Sequence, residues 1–342
     1  MRAPGFWWRP PGALARLLSP LGRLYGAITL RRMRRAGTEA GIPVICVGNF
    51  VAGGAGKTPT SIALAALLAR RGETPFVLMR GYGGSLAGPV EVDAAYHAAH
   101  AVGDEPLLMA HHARTVVSRD RVAGASLARA LGASVIVMDD GLQNPALTKR
   151  LRIAVVDGAG GAGNGHCLPA GPLRAPLASQ LAHVDAVLVI GAGALGEAVA
   201  TAAEQAGVAT LKAWLEPSPE AKPRLSGQAV LAVSGIGRPE KFAATLRQAG
   251  ARIVAERAFP DHHPYRAEDV AALLAEAKAS DCLIATTEKD MVKLGPLWPH
   301  AERHRLLPVP VTLVFAAPER IEAMAAEVLA ARSGPAGAAQ PQ

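Results

Sequence analysis

The chain has 342 residues and is half apolar, enough for two domains or one unusually large one. Only 4% of the residues are aromatic, which argues against a stacking platform for single-stranded nucleic acid. The net charge of +8 is concentrated in residues 1–38, which hold eight arginines and no acid; the rest is close to neutral. Such a local charge suits an anionic membrane surface or a polyphosphate better than a nucleic-acid groove along the whole body.

The chain opens on Trp7 and Trp8, and then residues 12–35 read as a helix with a break or bend at Pro20. Leu14, Leu17, Leu18, Leu21, Leu24, Tyr25 and Ile28 recur at three- and four-residue steps and make one apolar stripe. Arg9, Arg16 and Arg23 line up beside it. Stripe, arginines and the Trp pair describe a helix lying in a bilayer interface. The alternative is an ordinary helix packed on the protein body with solvated arginines. No apolar run reaches the roughly 20 residues of a membrane span, and arginines interrupt the apolar region a signal peptide would need.

Further on, apolar β-branched runs alternate with Ala/Leu-rich stretches. Strands are expected at 43–48, 75–80, 134–139, 152–157, 185–190, 229–234, 251–256, 281–286 and 309–315. Helices are expected at 58–71, 105–113, 119–131, 194–206, 239–249, 267–279 and 317–332. The alternation predicts an α/β fold, a mostly parallel sheet flanked by helices as in P-loop NTPases, with a second, smaller α/β domain. Prolines and glycines cluster at 215–228 and suggest a boundary there. The organisation expected is an N-terminal basic amphipathic helix (1–38), a P-loop core (39–222), a second α/β domain (223–332) and a disordered tail (333–342).

The run 43–48 leads into Val51-Ala52-Gly53-Gly54-Ala55-Gly56-Lys57-Thr58 and then a helix. Strand, glycine-rich turn, Gly-Lys-Thr and helix are the Walker A arrangement. Backbone N–H groups there close on phosphate oxygens, Lys57 reaches the outer phosphates, and the Thr58 hydroxyl ligates Mg²⁺. The first motif position is Val51 in place of glycine. Val135–Asp139 followed by Asp140 is an apolar strand ending in two carboxylates, which resembles a Walker B; the other reading of Asp140 is a turn residue before Gly141.

A kinase also needs a base beside its acceptor hydroxyl. Gly103-Asp104-Glu105-Pro106 places two carboxylates at a loop-to-helix junction, and Asp261-His262-His263 lies in a Pro-bounded turn. An Asp oriented by a His would form a base dyad; a helix cap and a solvated turn are the bland alternatives. Cys46, Cys167 and Cys282 are far apart and read as small buried hydrophobes. His97, His100, His111 and His112 have no convincing metal-ligand spacing.

Taken in order, these pieces resemble the tetraacyldisaccharide 4′-kinase family, the lipid A biosynthetic kinases of Gram-negative bacteria. The matching pieces are Leu24-Tyr25-Gly26 followed by Arg31-Arg32, Val47-Gly48-Asn49 with Gly56-Lys57-Thr58-Pro59, Arg80-Gly81-Tyr82-Gly83-Gly84, and Gly103-Asp104-Glu105-Pro106. They continue with Asp139-Asp140-Gly141-Leu142-Gln143, Leu168-Pro169-Ala170-Gly171-Pro172-Leu173-Arg174, Phe259-Pro260-Asp261-His262 and Thr287-Glu288-Lys289-Asp290. The resemblance covers roughly residues 14–325. Two positions depart: Asn144 stands where the family usually has His, and Ala175 where it usually has Glu.

The resemblance implies transfer of the γ-phosphate of ATP, with Mg²⁺, to the 4′-hydroxyl of a tetraacyl glucosamine disaccharide 1-phosphate. It implies Asp104 as base paired with His262, and Thr58, Glu105, Asp139 and Asp140 around Mg²⁺. Arg80, Gln143 and Arg174 are candidates for contacting phosphate or sugar. The place implied is the cytoplasmic face of the inner membrane, with the protein peripheral, its acylated substrate as partner and no nucleic acid. The readings in competition are a membrane-docked P-loop switch or chaperone-like NTPase, and a kinase of another small molecule. Because Asp104 and His262 lie in different halves of the chain, a cleft between the halves is expected.

Overall fold

The apolar runs in the first half of the chain become the middle of a nine-stranded sheet, in a computed structural model that describes residues 4–330. The tail 333–342 lies outside the described residues. The sheet holds β1 (Val44–Asn49), β2 (Pro75–Met79), β3 (Val90–Glu91), β4 (Thr115–Val117), β5 (Val135–Asp139), β6 (Leu151–Asp157), β7 (Ala186–Ile190), β8 (Ala209–Pro217) and, from far along the chain, β13 (Val311–Phe315). Their order is β13-β8-β7-β6-β1-β5-β2-β4-β3. Neighbours from β8 to β4 pair in parallel, and β13 and β3 close the two edges antiparallel.

Every residue of β1, β5 and β7 is buried, because helices cover both faces. Ile45, Val47, Val77, Val135 and Val137 pack with Leu64 and Leu68 of the helix Lys57–Arg70 on one face. Val44, Phe76, Leu78, Ile136 and Met138 pack with Ala125 and Ala128 of the helix Arg121–Ala130 on the other. β1 therefore sits mid-sheet, and the loop at its C-terminal end is held from both sides.

A second sheet has the order β10-β9-β11-β12, all parallel: β9 (Ala229–Ser234), β10 (Arg252–Ala258), β11 (Leu283–Thr287) and β12 (Leu306–Val309). The chain leaves the first sheet after Pro217 and returns after Val309. The run 309–315, expected as one strand, is two strands in two sheets, divided at Pro310. The two crossings touch, the Ser218 N–H donating to the Pro310 carbonyl at 2.9 Å. The unit expected over 223–332 is thereby corrected. β13 returns to pair with β8, and Ile321, Ala325 and Val328 of the helix Pro318–Ala330 join the first core. The physical reason is the open edge of β8, whose unpaired backbone groups need a partner strand.

The helix Ala13–Met33 is unbroken at Pro20, where a break or bend is expected. Its buried face is not the leucine stripe. Ala15, Gly22, Gly26 and Thr29 are buried, whereas Leu14, Leu17, Leu21, Leu24, Tyr25 and Ile28 are exposed. The small residues let the helix approach the loop carrying Cys167: a Cβ on Gly22 would lie 2.7 Å from the Cys167 carbonyl oxygen. Gly22→Leu is therefore expected to loosen the docked helix at a cost of about 1–3 kcal/mol. Limited proteolysis at the helix arginines and the thermal midpoint read this out; an unchanged pattern would mean that docking does not need the small face.

Candidate active site

The C-terminal ends of the parallel strands carry the site, as open α/β sheets favour. The loop after β1 reaches the helix Lys57–Arg70 through two left-handed glycines, Gly53 at φ +114° and Gly56 at φ +93°. A Cβ on Gly56 would come within 2.6 Å of Ile190 Cδ1, so that position is glycine for space as well as for backbone angle. Gly53 and Gly54 face open space, where a Cβ would meet nothing within 4 Å. Val51 is buried and Ala52 partly so, and the Ala52 N–H donates to the Pro172 carbonyl at 2.8 Å. The loop is thus strapped to the body at its start and open at its glycines. Asn49, fully buried, ties it further by donating to the Gly53 carbonyl at 2.9 Å.

Two expected substrate contacts turn out to brace this loop. Arg174 donates to the Val51 carbonyl (3.2 Å), to Gln143 Oε1 (3.2 Å) and to Asp140 Oδ2 (3.3 Å). Gln143 donates to the Asn49 carbonyl at 2.9 Å and to Gln180 Oε1 at 3.1 Å. Gln180, fully buried in a short helix, was invisible to motif reading because only its three-dimensional neighbours mark it. Arg80 is exposed beyond β2. Of the departing positions, Asn144 caps a turn by accepting from the Ala146 N–H, and the carbonyl of buried Ala175 accepts from Gln180.

The two carboxylates after β5 differ. Asp139 is buried and accepts from Ser61 Oγ at 2.7 Å. Burial pushes its pKa up to about 7, against the opposing pull of the Lys57 ammonium. Asp140, at φ 50°, is more open; Lys57 Nζ lies 3.7 Å from it. Burial opposes its charge, but Lys57 and Arg174 hold its pKa below the ordinary carboxylate value. Among the described residues no group of three or more His, Cys, Asp or Glu forms a metal cage. Mg²⁺ is commonly held by one or two carboxylates, waters and phosphate oxygens. Asp139 and Asp140, against Ser61 and Lys57 of the helix Lys57–Arg70, fit such a role, and Thr58 lies partly buried in the first turn of the same helix. Glu105 is near enough to raise the Asp139 pKa, but its Oε1 accepts from Lys289 at 3.1 Å. The structure places Glu105 against a lysine, not in a ready carboxylate group.

Asp104 and His262 meet as expected, across 158 positions of sequence. His262 Nδ1 lies 2.9 Å from Asp104 Oδ2 and 3.1 Å from Oδ1. Asp104 opens the helix Asp104–Ala110 after Gly103 at φ +98°, and His262, at φ 60°, lies in the turn after β10. Three features of the surroundings were not assigned from sequence. Lys289 and Lys293, one turn apart on the helix Glu288–Leu294, both enter the site. Lys289 Nζ lies 3.2 Å from Asp261 Oδ1 and 3.3 Å from His262 Nε2; Lys293 Nζ lies 3.7 Å from Asp104 Oδ2 and 3.5 Å from the fully buried Asp290. Tyr82 packs its ring on His262 at 5.8 Å. Helical spacing of i and i+4 was the available signal for the lysine pair.

Burial alone would raise the pKa of Asp104. The bond with His262, reinforced by the charges of Lys289 and Lys293, overcomes that and holds it at about 2. The same bond raises the pKa of His262. Burial disfavours the Lys289 ammonium, but Glu105, Asp104 and Asp261 outweigh this and keep it charged. The arrangement can therefore present an ionised, oriented carboxylate at neutral pH, on the same end of the sheet as a phosphate-binding loop.

Among known proteins, the family described as Tetraacyldisaccharide-1-P 4′-kinase matches residues 14–330. A Tetraacyldisaccharide 4′-kinase from a Bradyrhizobium strain is 54% identical over 338 residues, covering 96% of each chain. Another from Methylobacterium nodulans is 55% identical over 342 residues, covering 100% of this chain and 98% of its own. A crystal structure of LpxK from Aquifex aeolicus in complex with ATP shares the fold, with a TM-score of 0.69 at 24% identity, over 92% of this chain and 99% of that one.

Proposed function

The chain belongs to the tetraacyldisaccharide-1-P 4′-kinase family, and from that premise we propose how its residues carry out the transfer. The enzyme is a phosphotransferase with an alcohol acceptor: the γ-phosphate of ATP passes to the 4′-hydroxyl of a tetraacyl glucosamine disaccharide 1-phosphate in lipid A biosynthesis, giving lipid IVA. The backbone N–H groups of 53–58 and Lys57 hold the ATP phosphates. Asp104 takes the proton of the 4′-hydroxyl as its oxygen attacks the γ-phosphorus and ADP leaves. His262 orients Asp104 and spreads the charge that arrives. Thr58, Asp139 and Asp140 would hold Mg²⁺, which would supply positive charge against the phosphates.

The observation that carries this reading is the contact of Asp104 with His262, joining an oriented carboxylate to a phosphate-loop fold. A switch or chaperone-like NTPase needs only a positioned water and gives that pair no task. The test supplies labelled ATP, Mg²⁺ and the lipid disaccharide in detergent micelles. Label on the lipid is expected; label only in inorganic phosphate would favour the switch, and transfer only to a water-soluble alcohol the other kinase.

We also propose that the helix Ala13–Met33 seats the enzyme on the cytoplasmic face of the inner membrane as a peripheral protein. Its leucines point away from the body, with Leu17 76% and Leu24 61% exposed, and Arg16, Arg23, Arg31 and Arg32 are exposed on the same helix. Among the described residues no helix is long and apolar enough to cross a membrane. The acceptor resides in that surface, so a surface-bound enzyme meets it without extracting it. Leu17→Glu with Leu24→Glu is expected to lower partition onto anionic phospholipid vesicles by at least about tenfold. Co-sedimentation checks it, and undiminished binding would move the membrane contact elsewhere.

A further inference from the structure

A second set of charges joins the two sheets, away from the base pair. Asp157 ends β6, immediately beside β1 in the first sheet. Its side chain is only 7% exposed. Oδ1 accepts from the Gly160 N–H at 2.8 Å and from Arg238 Nη1 at 2.5 Å, and Oδ2 pairs with Lys241 Nζ. Both cations come from the second unit. Arg238 follows the loop after β9, and Lys241 is in the first turn of the helix Pro239–Gln248. The approach is close: a Cβ on Gly160 would lie 2.3 Å from Arg238 Nη2. The guanidinium also lies 5.4 Å from the Trp8 ring centroid, so the N-terminal segment packs on the same junction.

We propose that Asp157, Arg238 and Lys241 form a latch that fixes the second unit relative to the phosphate loop, and that they act as positioning residues for the transfer. The strand order makes the case. β6 lies on one side of β1, whereas β5, β2 and β4 lie on the other. The helix bearing Asp104 packs toward β4. The Asp157 junction and the Asp104–His262 contact therefore flank the strand that carries the glycine-rich loop. The linkers, joined at Ser218 and Pro310, are the third attachment. On the Asp104 side the second unit is held by the helix Glu288–Leu294 packing on the helix Asp104–Ala110, with Glu288 3.2 Å from His112 and Lys289 3.1 Å from Glu105. The Asp157 junction holds it on the other side of β1 and so limits rocking about that packed edge. Asp157 suits the task because it is buried at a strand end and offers both carboxylate oxygens to cations on one helix start. A carboxylate so placed favours one separation of the two units, since any other leaves a buried charge unpaired.

This inference rests on Asp104 and His262 being the reacting pair. None of the three latch residues belongs to the loop 53–58, which lies wholly in the first unit. Asp157→Asn and Arg238→Gln in the full-length enzyme are therefore expected to lower kcat by about tenfold to a hundredfold through misplacement of His262. The dissociation constant for labelled ATP, from equilibrium dialysis, should stay within about twofold of wild type. Nitroxide labels on cysteines introduced at Ser126 and Ala272, exposed positions one in each unit, report the inter-unit distance distribution, which should broaden in both variants. Should Asp157→Asn not fold, Arg238→Gln carries the test, because it leaves Lys241 to neutralise the buried carboxylate. Unchanged kcat in the folded variants would overturn the latch. So would a lowered kcat with a wild-type distance distribution, which would give Asp157 a local role only. The distance measurement is independent of the base assignment: full turnover in Asp104→Asn would sink the base reading without moving it.

Discussion

Asp104→Asn is expected to lower turnover of the lipid acceptor by about two to four orders of magnitude, the usual range for loss of a general base. The substitution keeps the shape and the partner for His262 but removes the acceptor of the hydroxyl proton. ATP binding should be nearly unaffected, because the loop proposed to cradle the phosphates is built from residues 53–58 and braced by Asn49, Gln143 and Arg174. Equal loss of turnover and ATP affinity would identify Asp104 as a nucleotide or metal ligand instead. The pKa of about 2 adds a sign to this expectation. A group whose folded value is depressed stays ionised down to that value, so Asp104 is a charged carboxylate throughout the neutral and mildly acid range. The acid limb of the rate profile should then belong to other groups and should not be read as the titration of Asp104.

Lys57→Met is expected to lower kcat by about 10²–10³, comparable with removal of a preorganised charge at a transition state, and to weaken ATP binding as well. Lys57 has a role besides the proposed contact with phosphate. It pairs with Asp140 at 3.7 Å and is the chief charge opposing the rise in the Asp139 pKa. Removing it leaves the two carboxylates less compensated, with Asp139 driven further toward its protonated form. Turnover at saturating ATP and ATP binding by equilibrium dialysis separate the two effects. Wild-type kcat at saturating ATP would confine Lys57 to ground-state binding.

The strand, glycine turn and helix were legible because the signal is local: strand, glycines, Lys57 and Thr58 are contiguous. The buried strands were legible because a run such as 135–139 is apolar almost throughout. β8 was missed for the opposite reason. Leu211 and Ala213 are buried while Lys212 and Trp214 are exposed, so the period of two is short and mixed. β3 and β4 are too brief to show any period. The split at 309–315 turns on Pro310 and on a partner strand far earlier in the chain, which no local pattern announces. The leucine stripe was visible, but its direction was not: the inward face is marked by Gly22 and Gly26, whose meaning lies in Cys167 across the interface. Asp104 and His262 could be paired through resemblance. Lys289, Lys293 and the Asp157 junction belong to contacts between distant segments.

The return of the chain from the second sheet to the first has a consequence for synthesis. Translation delivers β8 long before β13, so a nascent chain on the ribosome carries an unfinished sheet with β8 as a bare edge. The whole inserted unit must emerge before Val311–Phe315 can pair with Ala213–Pro217 and the last helix can seal the core beneath. An unpaired strand edge of this kind invites association with other chains. The interval between these two strands is thus the vulnerable period in the life of the polypeptide, and its length is set by the size of the insertion.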